Sequence, residues 1–192
     1  MKLYLIRHFK TQGNMESRYI GTTDEPLAEG EERNAFYPPV GMIITSPMKR
    51  CRQTADKIYP GCQPIICEDL RECDFGLFEG RNYEELKDLE TYRKWLDSRG
   101  TLPFPGGEDH AAFKERCVRG FVQMVEVLSR SGCENAAMVV HGGTIMAILE
   151  RFDTEKREFY HWQVKNGEGY AVYLSADDWQ RGKRELTEIE KL

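Results

Sequence analysis

The sequence predicts an α/β protein, a three-layer sandwich with a mostly parallel central sheet flanked by helices. Three observations carry that expectation. Two apolar runs, one opening the chain at Met1–Arg7 and one at Ala136–Val140, each stop at a histidine, His8 and His141, and each leads into a loop and a helical pattern. Strand-length apolar segments alternate with helical ones along the chain, the order that builds a parallel sheet covered on both faces. The longest helical pattern, Asp109–Arg130, sets Phe113, Cys117, Val118, Phe121, Val122, Val125 and Leu128 on one stripe, as a helix packed against a sheet requires.

The elements follow in order. Strands are expected at Leu3–Ile6, Met42–Thr45, Ile65–Cys67, Ala136–Val140 and Tyr170–Leu174. A last strand at Glu185–Ile189 pairs back on Tyr170–Leu174 across the Asp177–Lys183 turn region. Ser46 followed by Pro47 reads as the N-cap and first turn of a helix ending near Ile58. A second helix spans Tyr83–Leu96, and a short one begins just after Gly143 with Ile145, Ile148 and Leu149. Asn166-Gly167 marks a tight turn. Pro38-Pro39 and Pro103–Gly107 are loops within one domain, residues 1–192, since no repeat or linker interrupts the pattern.

Composition bounds the function. A chain of 192 residues with 40% hydrophobic residues builds one real core. No apolar run is long enough to cross a membrane, and the first residues already enter a strand, so a cytoplasmic location is expected by default. The net charge of −5 and the absence of a basic block argue against nucleic-acid binding, which needs a positive face. A few converging arginines can still hold a small anion. The six cysteines form no Cys-x-x-Cys or zinc-type spacing and read as reduced, mostly buried thiols; no metal site is expected. Cys73 stands out because it adjoins Glu72.

In a parallel sheet the C-terminal ends of the strands share one edge, and open α/β sheets bind ligands there. Arg7, His8 and His141 therefore converge although they lie far apart in sequence. Arg7 offers a planar fork of donors suited to phosphate oxygens. Thr11 and Asn14 follow at Arg-His-x-x-Thr-x-x-Asn spacing and add neutral donors. A neutral imidazole among such donors can attack phosphorus.

The segment Leu5–Asn14 resembles the signature of the histidine phosphatase superfamily, which includes the cofactor-dependent phosphoglycerate mutases. Ser46–Ala55 is similar to its second arginine motif, Leu70–Gly80 to its acidic motif, and Pro105–Glu108 and Val139–Gly143 to two further blocks, all in the family's order. The resemblance implies that His8 becomes phosphohistidine and that Arg7, Arg50 and His141 clamp the phosphoryl oxygens. Glu72 is then the proton donor and later the base that activates water. Asn14, Gly21 and Gly142 fall on the substrate side. Neither a metal nor another cofactor is implied. The scheme needs His8 unprotonated and works best with His141 protonated, so their environments are expected to push the two pKa values apart. Burial beside Phe75 and Phe78 is expected to raise the Glu72 pKa. Asp74 and Glu79 are expected to order the acidic loop, and His110 and His161 to be surface or structural residues.

Arg18–Leu27 continues the first motif in a manner similar to the phosphatase branch, particularly the alpha-ribazole phosphatases. That implies a small-molecule phosphate ester as partner, alpha-ribazole 5′-phosphate among the candidates. Three features argue against a mutase: only Arg81–Phe104 lies between the acidic and Pro-Gly-Gly blocks, no Arg-Arg pair occurs, and Ile20 precedes Gly21 where mutases carry a small hydroxyl residue. The alternatives are a phosphoglycerate mutase and a catalytically silent phosphate-binding module. Phe9 motivates the latter, standing where the family usually has glycine. Its ring either stacks on an aromatic leaving group or packs outward. The segment Glu31–Pro39 is short beside the family's usual first helix, and the sequence leaves the oligomeric state open.

Overall fold

The computed structural model describes residues 1–31 and 36–192; the expectation for Glu31–Pro39 lies partly outside the described residues. Among the described residues six strands form one sheet in the order β3-β2-β4-β1-β5-β6: β1 Lys2–Arg7, β2 Met42–Thr45, β3 Ile65–Ile66, β4 Asn135–Val140, β5 Gly169–Tyr173 and β6 Thr187–Lys191. The pairs β3–β2, β2–β4 and β4–β1 are parallel, while β5 runs antiparallel to β1 and β6 antiparallel to β5. The mostly parallel three-layer architecture is the expected one. β6 begins two residues later than the sequence suggests, and the connection from β5 includes the short helix Ala176–Gln180.

Alternation along β1 builds the layers. Leu3 and Leu5 face one side, where they pack with Phe121, Val125 and Leu128 and with Ile145, Ile148 and Leu149. Those residues belong to the helices His110–Arg130 and Gly142–Phe152. Tyr4 and Ile6 face the other side and meet Cys51, Ala55 and Tyr59 at the helix Lys49–Ile58. These helices are α5 (His110–Arg130), α6 (Gly142–Phe152) and α2 (Lys49–Ile58). Two four-residue helices, α1 (Gln12–Met15) and α3 (Tyr83–Leu86), and α4 (Glu90–Asp97) complete the part of the fold near the sheet edge. Asp109 caps α5, its carboxylate accepting the N–H groups of Ala111 and Ala112.

Two local expectations are corrected. Ser46 does not cap α2: Met48 is the N-cap residue, and the Lys49 N–H donates instead to Asp24 Oδ1 at 2.6 Å from a distant loop. The Ser46 hydroxyl is engaged elsewhere, as described below. The Tyr83–Leu96 helix is broken at residues 87–89, giving α3 and α4. Leu86 and Tyr92 both enter a third, aromatic-rich cluster with Phe78, Phe104, Phe113 and Phe159. Six residues apart on an unbroken helix they would point to different sides, so the break lets both be buried.

Candidate active site

The sheet order explains the convergence. β4 lies between β2 and β1, with Arg7 in register with Val140 and Thr45 with Val139. The residues just past these strand ends, His8, His141 and Ser46, therefore emerge side by side; the His8 and Ser46 N–H groups still bond the carbonyls of Val140 and Val139. The helices α2 and α6 begin at the same edge, so two positive helix N-termini face it.

The imidazoles of His8 and His141 meet edge to face with ring centroids 5.2 Å apart. His8 Nδ1 lies 2.6 Å from the Phe9 carbonyl. A carbonyl only accepts, so Nδ1 carries the proton and Nε2 presents its lone pair. The loop after β1 is held from behind: Asn166 Nδ2 donates to the His8 carbonyl and to Asn14 Oδ1, and the Phe9 N–H donates to Thr54 Oγ1. Asn14 Oδ1 also accepts the Thr11 N–H in a capping box, which leaves only its amide NH2 for an outside acceptor.

Arg50 is fully buried on α2. Its guanidinium donates to the carbonyls of Thr23 (2.7 Å) and Gly21 (2.8 Å). Arg7 donates through Nη1 to the Val164 carbonyl at 2.7 Å. Each arginine retains an Nε with no hydrogen-bond partner, and neither forms an ion pair with a carboxylate among the described residues. Glu79 Oε1 accepts the N–H groups of both Gly21 and Thr23 at 2.9 Å, fastening the loop whose carbonyls hold Arg50. Gly21 thus serves the loop itself, and a Cβ there would collide with the Cys73 carbonyl.

Glu72 accepts from the Cys73 N–H (2.9 Å) and from the Gly143 N–H in the first turn of α6 (3.2 Å). A side chain at Gly143 would strike the Glu72 carboxylate, and a Cβ at Gly142 would stand 3.3 Å from Arg7 Nε. Burial raises the Glu72 pKa above its ordinary value, against the pull of those two N–H groups, Arg50 and Arg7. The expectation that the two histidine pKa values are driven apart is corrected. Burial first, and then Arg50, push both His8 and His141 well below the ordinary 6.5, because both rings sit in the same dry, cationic corner. Each is neutral at neutral pH.

The structure brings Arg7, His8, Arg50, Glu72, His141 and Gly142 to one sheet edge, with Asn14 bracing the loop beside them. Sequence reading missed Ser46. Its Oγ lies 2.7 Å from His141 Nε2 and accepts the Met48 N–H at 3.4 Å, with Cys51 Sγ 3.5 Å from the same ring nitrogen. It also missed Thr54 and Asn166. The Phe9 ring is buried and packs toward Tyr37, centroids 6.3 Å apart, and so does not turn outward to solvent. All six cysteines are free.

Glu72 and Arg7 open onto a cleft of about 780 Å³ whose walls include Tyr19, Phe75, Trp95 and Phe104. His110, expected at the surface or in a structural place, lines this cleft, whereas His161 is exposed. Among the described residues no helix is long and apolar enough to cross a membrane.

Comparison with known proteins agrees with this architecture. The chain is 29% identical to an adenosylcobalamin/alpha-ribazole phosphatase of Salmonella typhimurium over 87% of each protein. It is 31% identical to phosphoserine phosphatase 1 of Hydrogenobacter thermophilus over 73% of this chain and 71% of that one. The crystal structure of a phosphoglycerate mutase from Thermus thermophilus superposes with a TM-score of 0.70 at 30% identity, covering 100% of this chain and 99% of the other. Residues 3–185 match the family model of the histidine phosphatase superfamily (branch 1), and the chain belongs to that superfamily.

Proposed function

We propose that this protein is a metal-independent phosphomonoester hydrolase that works through a phosphohistidine at His8. The observation that carries the reading is the hydrogen bond from His8 Nδ1 to the Phe9 carbonyl, which leaves a neutral Nε2 lone pair near the guanidiniums of Arg7 and Arg50. In the first step Nε2 attacks phosphorus, the ester P–O bond breaks, and Glu72 gives its proton to the departing alkoxide. In the second step Glu72 takes a proton from water, the water oxygen attacks phosphorus, and the P–N bond breaks to release phosphate. A carboxyl with a raised pKa suits both roles. Arg7 and Arg50 stabilise the transferring group, whose charge is met by donors already in place. An arriving phosphate dianion favours the imidazolium form of His141, opposing the burial and the guanidiniums that keep it neutral. Asn14 supplies an amide donor, and the turn at Gly142 lets the phosphoryl group approach Arg7.

The relatives' names divide between phosphatases and mutases acting on different esters, so the reaction and substrate for this chain rest on its site. Alpha-ribazole 5′-phosphate is the finer candidate, because the cleft beyond Glu72 is wide and aromatic. A phosphoglycerate mutase is the alternative; transfer between the phosphoglycerates stimulated by a bisphosphorylated primer would favour it. A catalytically silent phosphate-binding module is the other alternative; measurable binding of phosphate esters with hydrolysis of none would favour it. His8→Ala is expected to abolish hydrolysis of p-nitrophenyl phosphate, vanadate to inhibit the wild type, and EDTA to leave it unaffected. Normal turnover by His8→Ala would refute the reading. We place the protein in the cytoplasm as a single domain acting on a small-molecule ester, without nucleic acid or membrane.

A further inference from the structure

The turn at Asn166-Gly167 is far from His8 in sequence, yet it lies against the loop that carries it. Gly167 takes the left-handed position, with φ 75°, and donates its N–H to the Arg7 carbonyl at 2.9 Å and to the His8 carbonyl at 3.3 Å. Residues beside it in the chain hold Arg7. The Val164 carbonyl accepts from Arg7 Nη1 at 2.7 Å, and the Glu168 carbonyl accepts the Arg7 N–H at 2.9 Å. Tyr37 fastens the turn by donating its hydroxyl to the Gly167 carbonyl at 2.8 Å.

Asn166 is not required by the shape of this turn. Asparagine is favoured in turns where it tolerates the left-handed region, but here Gly167 occupies that region and Asn166 does not. Its side chain reaches across to the β1 loop instead. Asn166 Nδ2 lies 3.0 Å from the His8 carbonyl, 3.1 Å from Asn14 Oδ1 and 3.5 Å from the Phe9 carbonyl. Peptide carbonyls only accept, and Asn14 Oδ1 already accepts the Thr11 N–H, so all three oxygens require a donor and the amide nitrogen must face them.

The two carbonyls have different consequences. The His8–Phe9 peptide is gripped at both ends, by Asn166 at its oxygen and by Thr54 Oγ1 at its N–H, 2.9 Å away. The next carbonyl along, that of Phe9, is the acceptor for His8 Nδ1. Fixing the first peptide plane sets where the second carbonyl points. Without the amide that carbonyl is free to turn from the ring, and its hold on the Nδ1 proton is lost. A neutral ring protonated on Nε2 has no lone pair there.

We propose that Asn166 is the positioning residue of the nucleophile: by holding the carbonyls of His8 and Phe9 it keeps the His8 proton on Nδ1 and leaves the Nε2 lone pair open for attack. Calling His8 a nucleophile rests on the phosphatase reading. The place of its proton does not, and is measurable in the free protein.

The test is nitrogen NMR of histidine-labelled protein, with the His8 signals assigned by their absence from His8→Ala, beside steady-state kinetics on p-nitrophenyl phosphate. Wild type at neutral pH should show Nδ1 protonated and Nε2 bare. Asn166→Leu nearly keeps the side chain's shape and removes its N–H groups. Part of its His8 population should move to the Nε2–H form. Its kcat per folded molecule should fall about 10- to 100-fold, the scale of a small misplacement of a reacting group, with KM changed much less. Asn166→Ala should behave in the same way. Should both variants fold poorly, the wild-type side-chain amide is read directly: both Asn166 N–H protons should be protected from exchange with water. Free exchange of that amide overturns the proposal. So does an Nε2–H ring in the wild type, an unmoved His8 tautomer in folded Asn166→Leu, or a kcat per folded molecule equal to that of wild type. If the tautomer moves as expected while the wild type hydrolyses no ester, the phosphatase reading fails and this inference stands.

Discussion

The two ends of α6 treat buried charge in opposite ways. At its C-terminal end Asp153 is fully buried, and its carboxylate accepts from the Arg157 Nε and Nη2 at 2.9 Å each, the Arg157 N–H at 3.0 Å and the Glu155 N–H at 3.2 Å. Arg157 in turn lies over the Trp162 ring at 4.4 Å. The buried carboxylate and its arginine are both met. At the N-terminal end Arg50 is buried and Arg7 half-buried, with a buried Nε unspent on each, and both are bonded only to backbone carbonyls. Glu72, whose carboxyl feels both arginines, has its pKa raised by burial toward the neutral form. One end holds the fold together. The other keeps positive charge in reserve, a state that costs stability and is repaired by an anion.

The comparison breaks if the two ends answer mutation alike. Arg50→Gln should lower kcat/KM by about 10²–10³-fold or more, the scale of losing one donor to a developing oxyanion. Its melting temperature should change little, since removing an uncompensated charge offsets the lost bonds to Gly21 and Thr23. Asp153→Asn should do the reverse: a loss of about 3 kcal/mol, the scale of breaking one side of a buried pair. For a chain of this size that is a drop of roughly 6–12 °C, while kcat/KM per folded molecule stays the same. Calorimetry and steady-state kinetics on the two variants decide the matter.

A pH titration sharpens the contrast. Hydrogen bonding to Arg157 pulls the Asp153 pKa from 3.8 down to about 2. Its folded pKa is depressed, so its stabilising share, about 2 kcal/mol, is complete above pH 3.8 and is lost as pH falls through 2. Denaturant melts across that window should show the decline in wild type, and Asp153→Asn should lack this component. At the other end, the depressed pKa of His8 sets the acid limb of kcat/KM and the raised pKa of Glu72 the alkaline limb. Glu72→Gln should slow turnover and remove the alkaline limb.

The smallest effect concerns Ser46. Its hydroxyl can donate to neutral His141 and accept from the imidazolium, so it holds the ring in either state. Ser46→Ala should cost about tenfold in kcat/KM, within the range for losing a neutral hydrogen bond, and shift the pH profile. Ser46→Thr should restore much of both. An unchanged profile in Ser46→Ala removes the positioning role.

The strand ends were legible because burial on both faces writes a continuous apolar run, and each run stops where His8 or His141 begins. The sheet order then required only that parallel strands share an edge. What sequence reading lost was long-range partnership. Ser46-Pro47 matches a helix cap locally, yet its hydroxyl goes to a ring that arrives on β4, and the loop carrying Asp24 takes over at the helix start. Nothing next to Phe9 in the sequence shows that its ring is buried toward Tyr37, a residue that arrives from a later loop. The break between α3 and α4 follows from burying Leu86 and Tyr92 together, a demand set by the aromatic cluster and invisible to local propensity.

The central claim is that His8 Nε2 accepts the phosphoryl group while Nδ1 stays tied to the Phe9 carbonyl. The direct measurement is phosphorus NMR and peptide mapping of Glu72→Gln protein quenched after mixing with a phosphate ester. The account predicts phosphohistidine at His8 bonded through Nε2. Phosphate on Nδ1, or ester hydrolysis by wild-type protein that never labels His8, contradicts it.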